Sequence, residues 1–322
     1  MKKEISLYKT VKLIEETKEY FEKKLAKELS LTKVECPLFV KSSSGLQDML
    51  DGKQKAVAFA KEKETFEIVH SLAKWKREAL GRYHFPVYEG LYTDMKAIRK
   101  DETVDSIHSL YVEQWDWEKI ITKEDRTIDY LKRIVSKIYR AFKDTERYVA
   151  EKDESLGISL PKKVYFITSQ ELEDMYPDKT PKERERLITK EKKVVFIIGI
   201  GDKLSSGVEH DLRSPDYDDW SLDGDLLVYS DVMDREVELS SMGIRVDKTA
   251  LVRQLTITGD LDRLECDYHK GIMDEKLPFT IGGGIGVSRV LMILLKKDHI
   301  AKVQASSWEE KTLKELSQEE IL

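Results

Sequence analysis

The chain has 322 residues and 40% apolar composition, enough to bury a sizeable core as one large domain or two small ones. Its net charge of −6 supplies no global basic field of the kind that advertises nucleic-acid binding. The two cysteines, Cys36 and Cys266, are far apart and lack metal-ligand spacing, which argues against a disulfide scaffold and suits a reducing compartment.

The opening MKKEISLYKTVKLIEETKEY is charged throughout, without an apolar signal core, and no apolar run approaches the ~20 residues that span a bilayer. A soluble cytoplasmic protein is expected. Residues 5–29 carry apolar positions Leu7, Val11, Ile14, Phe21, Leu25 and Leu29 at helical spacing. LTKVECPLFV then reads as a strand that Pro37 confines to an edge, a bulge or an interface, and KSSSGLQDML as a polar loop. VHSLAKWKREAL predicts a short helix. LYTDMKAIRK and HSLYVEQWDWE predict two strands of a long hairpin around the charged DETVDS. A long amphipathic helix is predicted over 125–152. KVYFITS and KVVFIIGI are apolar runs typical of buried strands, with a Lys/Glu-rich helix between them. DLLVYSDVMDREVELSSMGIRV holds two further strands, and residues 248–258 and 261–274 read as helical. FTIGGGIGVSRVLMILL is a strand running into a final apolar helix. With no repeat or linker, one compact α+β domain over residues 1–322, built on a largely antiparallel sheet, is the expectation.

The glycine stretch does not fit the common phosphate fingerprints. The dinucleotide pattern would need a glycine at Val287, and a P-loop would need Gly-Lys-Ser/Thr where Val-Ser-Arg stands. Glycines still let a ligand lie against the backbone, and Arg289, about one turn into the helix, offers a planar fork for phosphate. Arg99 closes its strand just before the charged connector. The return strand carries Ser109, Gln114 and Asp116, polar groups that would cost roughly 1–3 kcal/mol each if buried unpaired. That face is therefore either wet or set against a polar ligand. Asp225 and Glu238 lie on neighbouring predicted strands and together could hold Mg²⁺, which takes one or two carboxylates with phosphates and waters. PDYDDW reads as an acidic loop, more often solvated than catalytic. In LSSMGIR, two hydroxyls near Arg245 would suit a bound carboxylate. His70-Ser71 lacks the glycine-flanked elbow of a nucleophilic serine. Lys76 on the same helix is better placed to meet an anion. The six histidines show no zinc spacing.

Three pieces line up in order: a long helix leading to the Pro37 strand; a strand ending in Arg99, with a charged loop and a return strand; and GGGIGVSR, with Gly282, Gly284, Gly286 and Arg289. This order resembles the three motifs of the class II aminoacyl-tRNA synthetase catalytic domain. GLQDML, HSLAKWKR, GLYTDMKAIR, YVEQWDWE, RSPDYDDW, ELSSMGIRVD and TIGGGIG are together similar to the ammonia-dependent asparagine synthetase family, from the first helix to about Trp308.

The resemblance implies a ligase that forms β-aspartyl-adenylate from aspartate and MgATP, releases pyrophosphate, and lets ammonia displace AMP. It implies that Arg99 clamps the α-phosphate and the attacking carboxylate and that Arg289 holds the γ-phosphate. Ser109, Gly284 and Gly286 would belong to the nucleotide site, the two glycines giving the adenosine room, and Asp225 and Glu238 would carry Mg²⁺. Asp48, Gln114 and Asp116 would surround the aspartate amino group, and Lys76, Ser241 and Arg245 its carboxylates. Asp218, or else Asp48, would take a proton from ammonium. A homodimer through the first helix and the Pro37 strand is also implied, with no nucleic acid and no membrane as partners. A tRNA-charging enzyme would need an anticodon-binding module. A regulatory relative would be expected to lack one of the arginines or metal acids. A glutamine-dependent enzyme would need an N-terminal cysteine, whereas Met1 precedes Lys2 here.

Overall fold

The computed structural model describes residues 7–50 and 54–322, so Ile5 lies outside it. Helix α1 (Leu7–Leu29) buries Thr10, Ile14, Thr17, Phe21, Leu25 and Leu29, one residue every three or four, along a single stripe. It is followed by β1 (Leu31–Lys33), β2 (Phe39–Lys41), β3 (Ala58–Lys61), β4 (Glu64–Ile68), α2 (Ala73–Arg82), β5 (Gly90–Ile98) and β6 (Tyr111–Ile120). Next come α3 (Ile128–Lys152), β7 (Tyr165–Thr168), α4 (Ser169–Met175), α5 (Pro181–Lys192), β8 (Val194–Ile198), β9 (Asp218–Ser230) and β10 (Arg235–Arg245). The chain closes with α6 (Lys248–Thr258), α7 (Asp267–Met273), β11 (Thr280–Gly286), α8 (Val287–Leu294) and α9 (Glu310–Glu315).

Eight strands form one sheet in the order β1-β5-β6-β11-β10-β9-β8-β7, antiparallel except for the pairs at its two edges, β1 with β5 and β7 with β8. Helices α1 and α3 cover one face. Their stripes meet each other and the sheet, with Tyr20 stacked on Tyr148 at 4.1 Å and Phe21 4.6 Å from Trp115. Thr127 caps α3 by accepting from the Tyr130 amide. The opposite face of the sheet carries the polar side chains described below, with α2 packed over β6.

The structure departs from the sequence-based expectation at LTKVECPLFV, at the β3–β4 hairpin, at α4 and at PDYDDW. LTKVECPLFV is not one strand. Its first residues enter the large sheet as β1 and its last enter a separate antiparallel sheet, β2-β4-β3. Pro37 lies between the two pieces and has no N–H to continue a ladder. The β3–β4 hairpin itself is too rich in Lys and Glu to announce a strand. Helix α4 was also unread, although Thr168 and Glu171 form the reciprocal capping box that starts it.

A further correction concerns PDYDDW, which is not a solvated loop. Asp216, Asp218 and Asp219 are all buried, and β9 begins inside the segment. Asp216 accepts from Lys74 Nζ at 2.8 Å, Ser214 Oγ at 2.9 Å and His269 Nε2 at 2.9 Å, with Arg263 at 3.4 Å. Burial would raise its pKa, but Lys74, His269 and Arg263 hold it far below the ordinary carboxylate range. One carboxylate thereby joins α2 and α7 to the entry of β9.

Because the folded pKa is depressed, the stabilisation is fully present above the unfolded value of about 4 and is lost as pH falls below it. Asp216→Asn strands Lys74 as a buried charge. Urea unfolding at neutral pH is expected to show a loss of about 3–5 kcal/mol. A loss under about 1 kcal/mol would deny the network its bridging role.

Candidate active site

Strand β6 alternates in character. Trp115 and Trp117 point into the core under α1 and α3, so Gln114, Asp116 and Glu118 project from the other face. Strand pairing extends that polar face sideways. One row of neighbours runs Thr93, Asp116, Gly284, Ser241 and Asp225 across β5, β6, β11, β10 and β9. The next runs Leu91, Glu118, Gly282, Gly243 and Asp223. A bulge between Glu238 and Ser240 shifts the register, which lets Glu238 and Ser241 line the same cleft although they are an odd number of residues apart.

The glycines have a definite use. A Cβ on Gly282 would lie 1.9 Å from Glu118 Oε2 and 2.6 Å from Arg245 Nη2, and one on Gly243 would lie 2.6 Å from Asp218 Oδ1. Over Gly284 the space is taken by Gln114, whose Oε1 would be 2.4 Å away. Over Gly286 the nearest atoms belong to the stem of Arg289, at 3.6 Å. Bare backbone here first makes room for the protein's own polar groups.

These side chains enclose a cleft of about 290 Å³. At one end the charges are paired and deeply buried. Arg245 donates to Glu118 through Nε at 3.0 Å and Nη2 at 2.7 Å, and to Asp218 through Nη1 at 2.5 Å. Lys76 pairs with Asp116, donates to the Gly283 carbonyl at 3.1 Å and lies 3.9 Å from Glu118. Burial lowers the Lys76 pKa, with Asp116 and Glu118 acting against it. Burial also raises Asp218, which Arg245 opposes. For Glu118 the opposing pull of Arg245 prevails over burial and leaves its pKa lowered. Asp116 also accepts from the Leu72 amide at 3.1 Å, at the start of α2. Asp48 accepts from Ser71 Oγ at 2.6 Å and the Leu50 amide at 2.8 Å.

The other end is built from arginines. Arg99, one residue past β5, donates to the His70 carbonyl at 3.3 Å, while its Nε is buried without a hydrogen-bond partner among the described residues. Arg289 starts α8 and donates to the Glu238 carbonyl at 3.1 Å, lying 3.5 Å from the Glu238 carboxylate. Arg213 enters from the loop before β9 and pairs with Asp225. Ser109 Oγ reaches Gln304 Oε1 at 2.6 Å at the margin.

Every site residue expected from the sequence lines this cleft except Asp225, which is buried behind Arg213. Asp225 and Glu238 suit a hard cation. Asp225 Oδ1 is buried without a hydrogen-bond partner among the described residues, and its pKa is pushed up to about 7, first by burial and then by Glu238 and Asp211. Among the described residues no group of three or more His, Cys, Asp or Glu could hold a metal by itself. Two carboxylates would leave the remaining positions of such a cation to phosphate and water.

Sequence reasoning missed Glu118, Arg213, Tyr217 and Gln304, all within or beside the cleft. Glu118 was legible, since it continues the period-two series from Gln114 and Asp116. The others come from loops whose placement no local pattern fixes.

The fold is that of a class II aminoacyl-tRNA synthetase-like catalytic domain. The asparaginyl-tRNA synthetases of Entamoeba histolytica and Pyrococcus horikoshii, each solved with asparaginyl-adenylate, superpose with TM-score 0.66 at 15% and 16% identity. Each superposition covers 92% of this chain, which spans 66% and 68% of the respective synthetases.

Within that class the chain belongs to the aspartate–ammonia ligase family, whose profile matches residues 8–320. It is 55% identical over 311 residues to the aspartate–ammonia ligase of Ruminiclostridium cellulolyticum, covering 96% of this chain and 93% of that relative. It is 56% identical over 297 residues to the Bacillus mycoides enzyme, covering 92% and 91%.

The glycines give a graded test. Gly282→Ala is expected to cost about 1–3 kcal/mol through overpacking against Glu118 and Arg245. Gly286→Ala should cost less than about 1 kcal/mol, because its Cβ would meet only the Arg289 stem, at ordinary van der Waals distance. Equal losses in urea unfolding would contradict the assignment.

Proposed function

We propose that the chain makes asparagine from aspartate and ammonia, driven by ATP, through β-aspartyl-adenylate. The observation that carries the reading is the division of the cleft. One end sets buried charges of both signs around a space suited to a molecule with one ammonium and two carboxylates. The other offers Arg99 and Arg213, each with a buried Nε–H unpartnered among the described residues, beside Arg289. These are donors fitted to phosphate oxygens.

In this reading the aspartate amino group lies against Asp48, Gln114 and Asp116, and its carboxylates against Lys76, Ser241 and Arg245. Its β-carboxylate oxygen attacks the α-phosphorus and pyrophosphate leaves. Arg99 bridges the attacking carboxylate and the α-phosphate, which screens their repulsion. Arg289 holds the γ-phosphate, and Ser109, Gly284 and Gly286 flank the nucleoside. Mg²⁺ on Asp225 and Glu238 would neutralise phosphate charge. Asp218, or Asp48 in its place, takes a proton from ammonium; the ammonia so formed attacks the acyl carbon and AMP departs. The upward shift that burial gives Asp218 suits that role. Catalysis of this kind is mostly positioning and electrostatics.

The same reading includes a homodimer through α1 and the Pro37 segment, supported by exposed Tyr8, Val11, Leu38 and Phe39. It places the protein in the cytoplasm, which its free thiols Cys36 and Cys266 suit.

Purified protein given aspartate, MgATP and ammonium is expected to release asparagine and AMP in equal amounts, and to make neither when glutamine replaces ammonium. Aspartate-dependent exchange of pyrophosphate into ATP without asparagine would point to another acceptor. Arg99→Ala and Arg289→Ala should each lower kcat/KM by about 10²–10³-fold. Retention of most of the activity by either variant would remove that arginine from its role.

A further inference from the structure

The two acids proposed to carry the cation are each engaged by an arginine. Asp225 pairs with Arg213, and Glu238 lies 3.5 Å from Arg289. Two carboxylates and two guanidiniums therefore meet at the edge of the cleft, with Lys182 and Asp211 close enough to act on Asp225. The group is not well satisfied. Among the described residues, Arg213 Nε, Asp225 Oδ1 and Asp223 Oδ2 are buried without hydrogen-bond partners. Unmade bonds of that kind are costly, and an added ligand can complete them.

Arg213 also sits differently from its neighbours. Asp223, Asp225 and Glu238 project from strands of the central sheet, whereas Arg213 arrives on the segment between β8 and β9. That segment is fastened at a distance. Ser206 donates to Glu173 of α4 at 2.9 Å, and His210 contacts Glu185 of α5 at 3.0 Å. The Arg213 side chain is 15% exposed and lines the cleft, while the Asp225 side chain is 7% exposed behind it. The guanidinium can therefore turn toward a ligand without any strand moving.

We infer that Arg213 is a further nucleotide-binding residue that works by charge exchange. It neutralises Asp225 while the cation site is empty, and it turns to the ATP phosphates when the divalent cation takes Asp225. The inference rests on the proposed reading of Asp225 and Glu238 as cation carriers. A rigid guanidinium suits both positions, because carboxylate and phosphate each accept two parallel N–H donors. The cation and the nucleotide then favour each other. Each removes a competitor or supplies a partner for the other, so their affinities are coupled reciprocally.

The test measures binding without turnover. Mn²⁺ binding is followed by electron paramagnetic resonance, alone and with α,β-methylene-ATP, on the wild-type chain, Arg213→Gln and Arg213→Lys. Arg213→Gln removes the competing charge, so it should bind Mn²⁺ alone about tenfold more tightly. It should bind the nucleotide with Mn²⁺ about tenfold more weakly. Opposite signs in one variant distinguish exchange from a merely structural role, which would weaken both.

Arg213→Lys keeps the charge but loses the fork. It should leave Mn²⁺ affinity near wild type and still weaken the nucleotide, which keeps the test open if Arg213→Gln does not fold. Unchanged affinities in both variants would overturn the exchange while leaving the cation site in place. Wild-type protein that takes the nucleotide but no Mn²⁺ would overturn the cation reading and the exchange with it.

Discussion

Arg245 is a guanidinium buried at the centre of the molecule, and the arrangement of the cleft follows from what it takes to keep it there. A charge so deeply desolvated persists only with close partners. Glu118 from β6 and Asp218 from the start of β9 supply them, bracketing the arginine from either side. Those carboxylates reach it only because Gly282 and Gly243 put no side chain in the way. Glu118 also lies 3.9 Å from Lys76, whose nearer partner is Asp116, so the next pair is tied to the first. Burying such pairs contributes little net stability, and apolar side chains of equal volume could fill the space as well. What the charges provide is a fixed, water-poor surface of alternating sign.

That surface is oriented by the rest of the fold. Trp115 and Trp117 anchor β6 from below, which sets Gln114, Asp116 and Glu118 facing the cleft. Helix α2 is held at its start both by Asp116 on the Leu72 amide and by Lys74 on the buried Asp216. The segment linking Asp216 to Asp218 thereby joins two networks, one structural and one lining the cleft. Charge at the arginine end is looser. There the donors come from a strand end, a helix start and a loop, and two of their N–H groups, Arg99 Nε and Arg213 Nε, have no hydrogen-bond partner among the described residues. Rigid pairing at one end and unsatisfied donors at the other suit a small zwitterion and a polyphosphate, respectively.

The sequence disclosed these features unevenly. Helices α1 and α3 were visible because long stretches with a 3.6-residue apolar period have few alternatives, and α5 as a Lys/Glu-rich stretch between two apolar runs. Strands β7 and β8 were visible as short apolar runs. The β3–β4 hairpin was not, since a mostly exposed ribbon need not carry an apolar pattern. Pro37 marked trouble in its strand without revealing that the two halves serve different sheets. In the cleft, β6 gave away its polar face by alternation, and Glu118 followed from the same rule. PDYDDW misled, because a run of acids reads as solvated until the fold supplies Lys74, His269, Arg126 and Arg245 as partners.

By itself the sequence determined the residue types and their local geometry: the glycine strand feeding α8, the arginines at its start and after β5, and the order of motifs that marks the family. These are properties of neighbours in the chain, fixed by backbone sterics and period. Tertiary structure alone decided which charges meet. The pairing of Arg213 with Asp225 and the bulge that places Glu238 and Ser241 on one cleft depend on strand register and loop closure. So does the use of Gly282 as room for Glu118. Contacts between residues far apart in the chain are set by the packing of the whole sheet, and no short stretch of sequence encodes them.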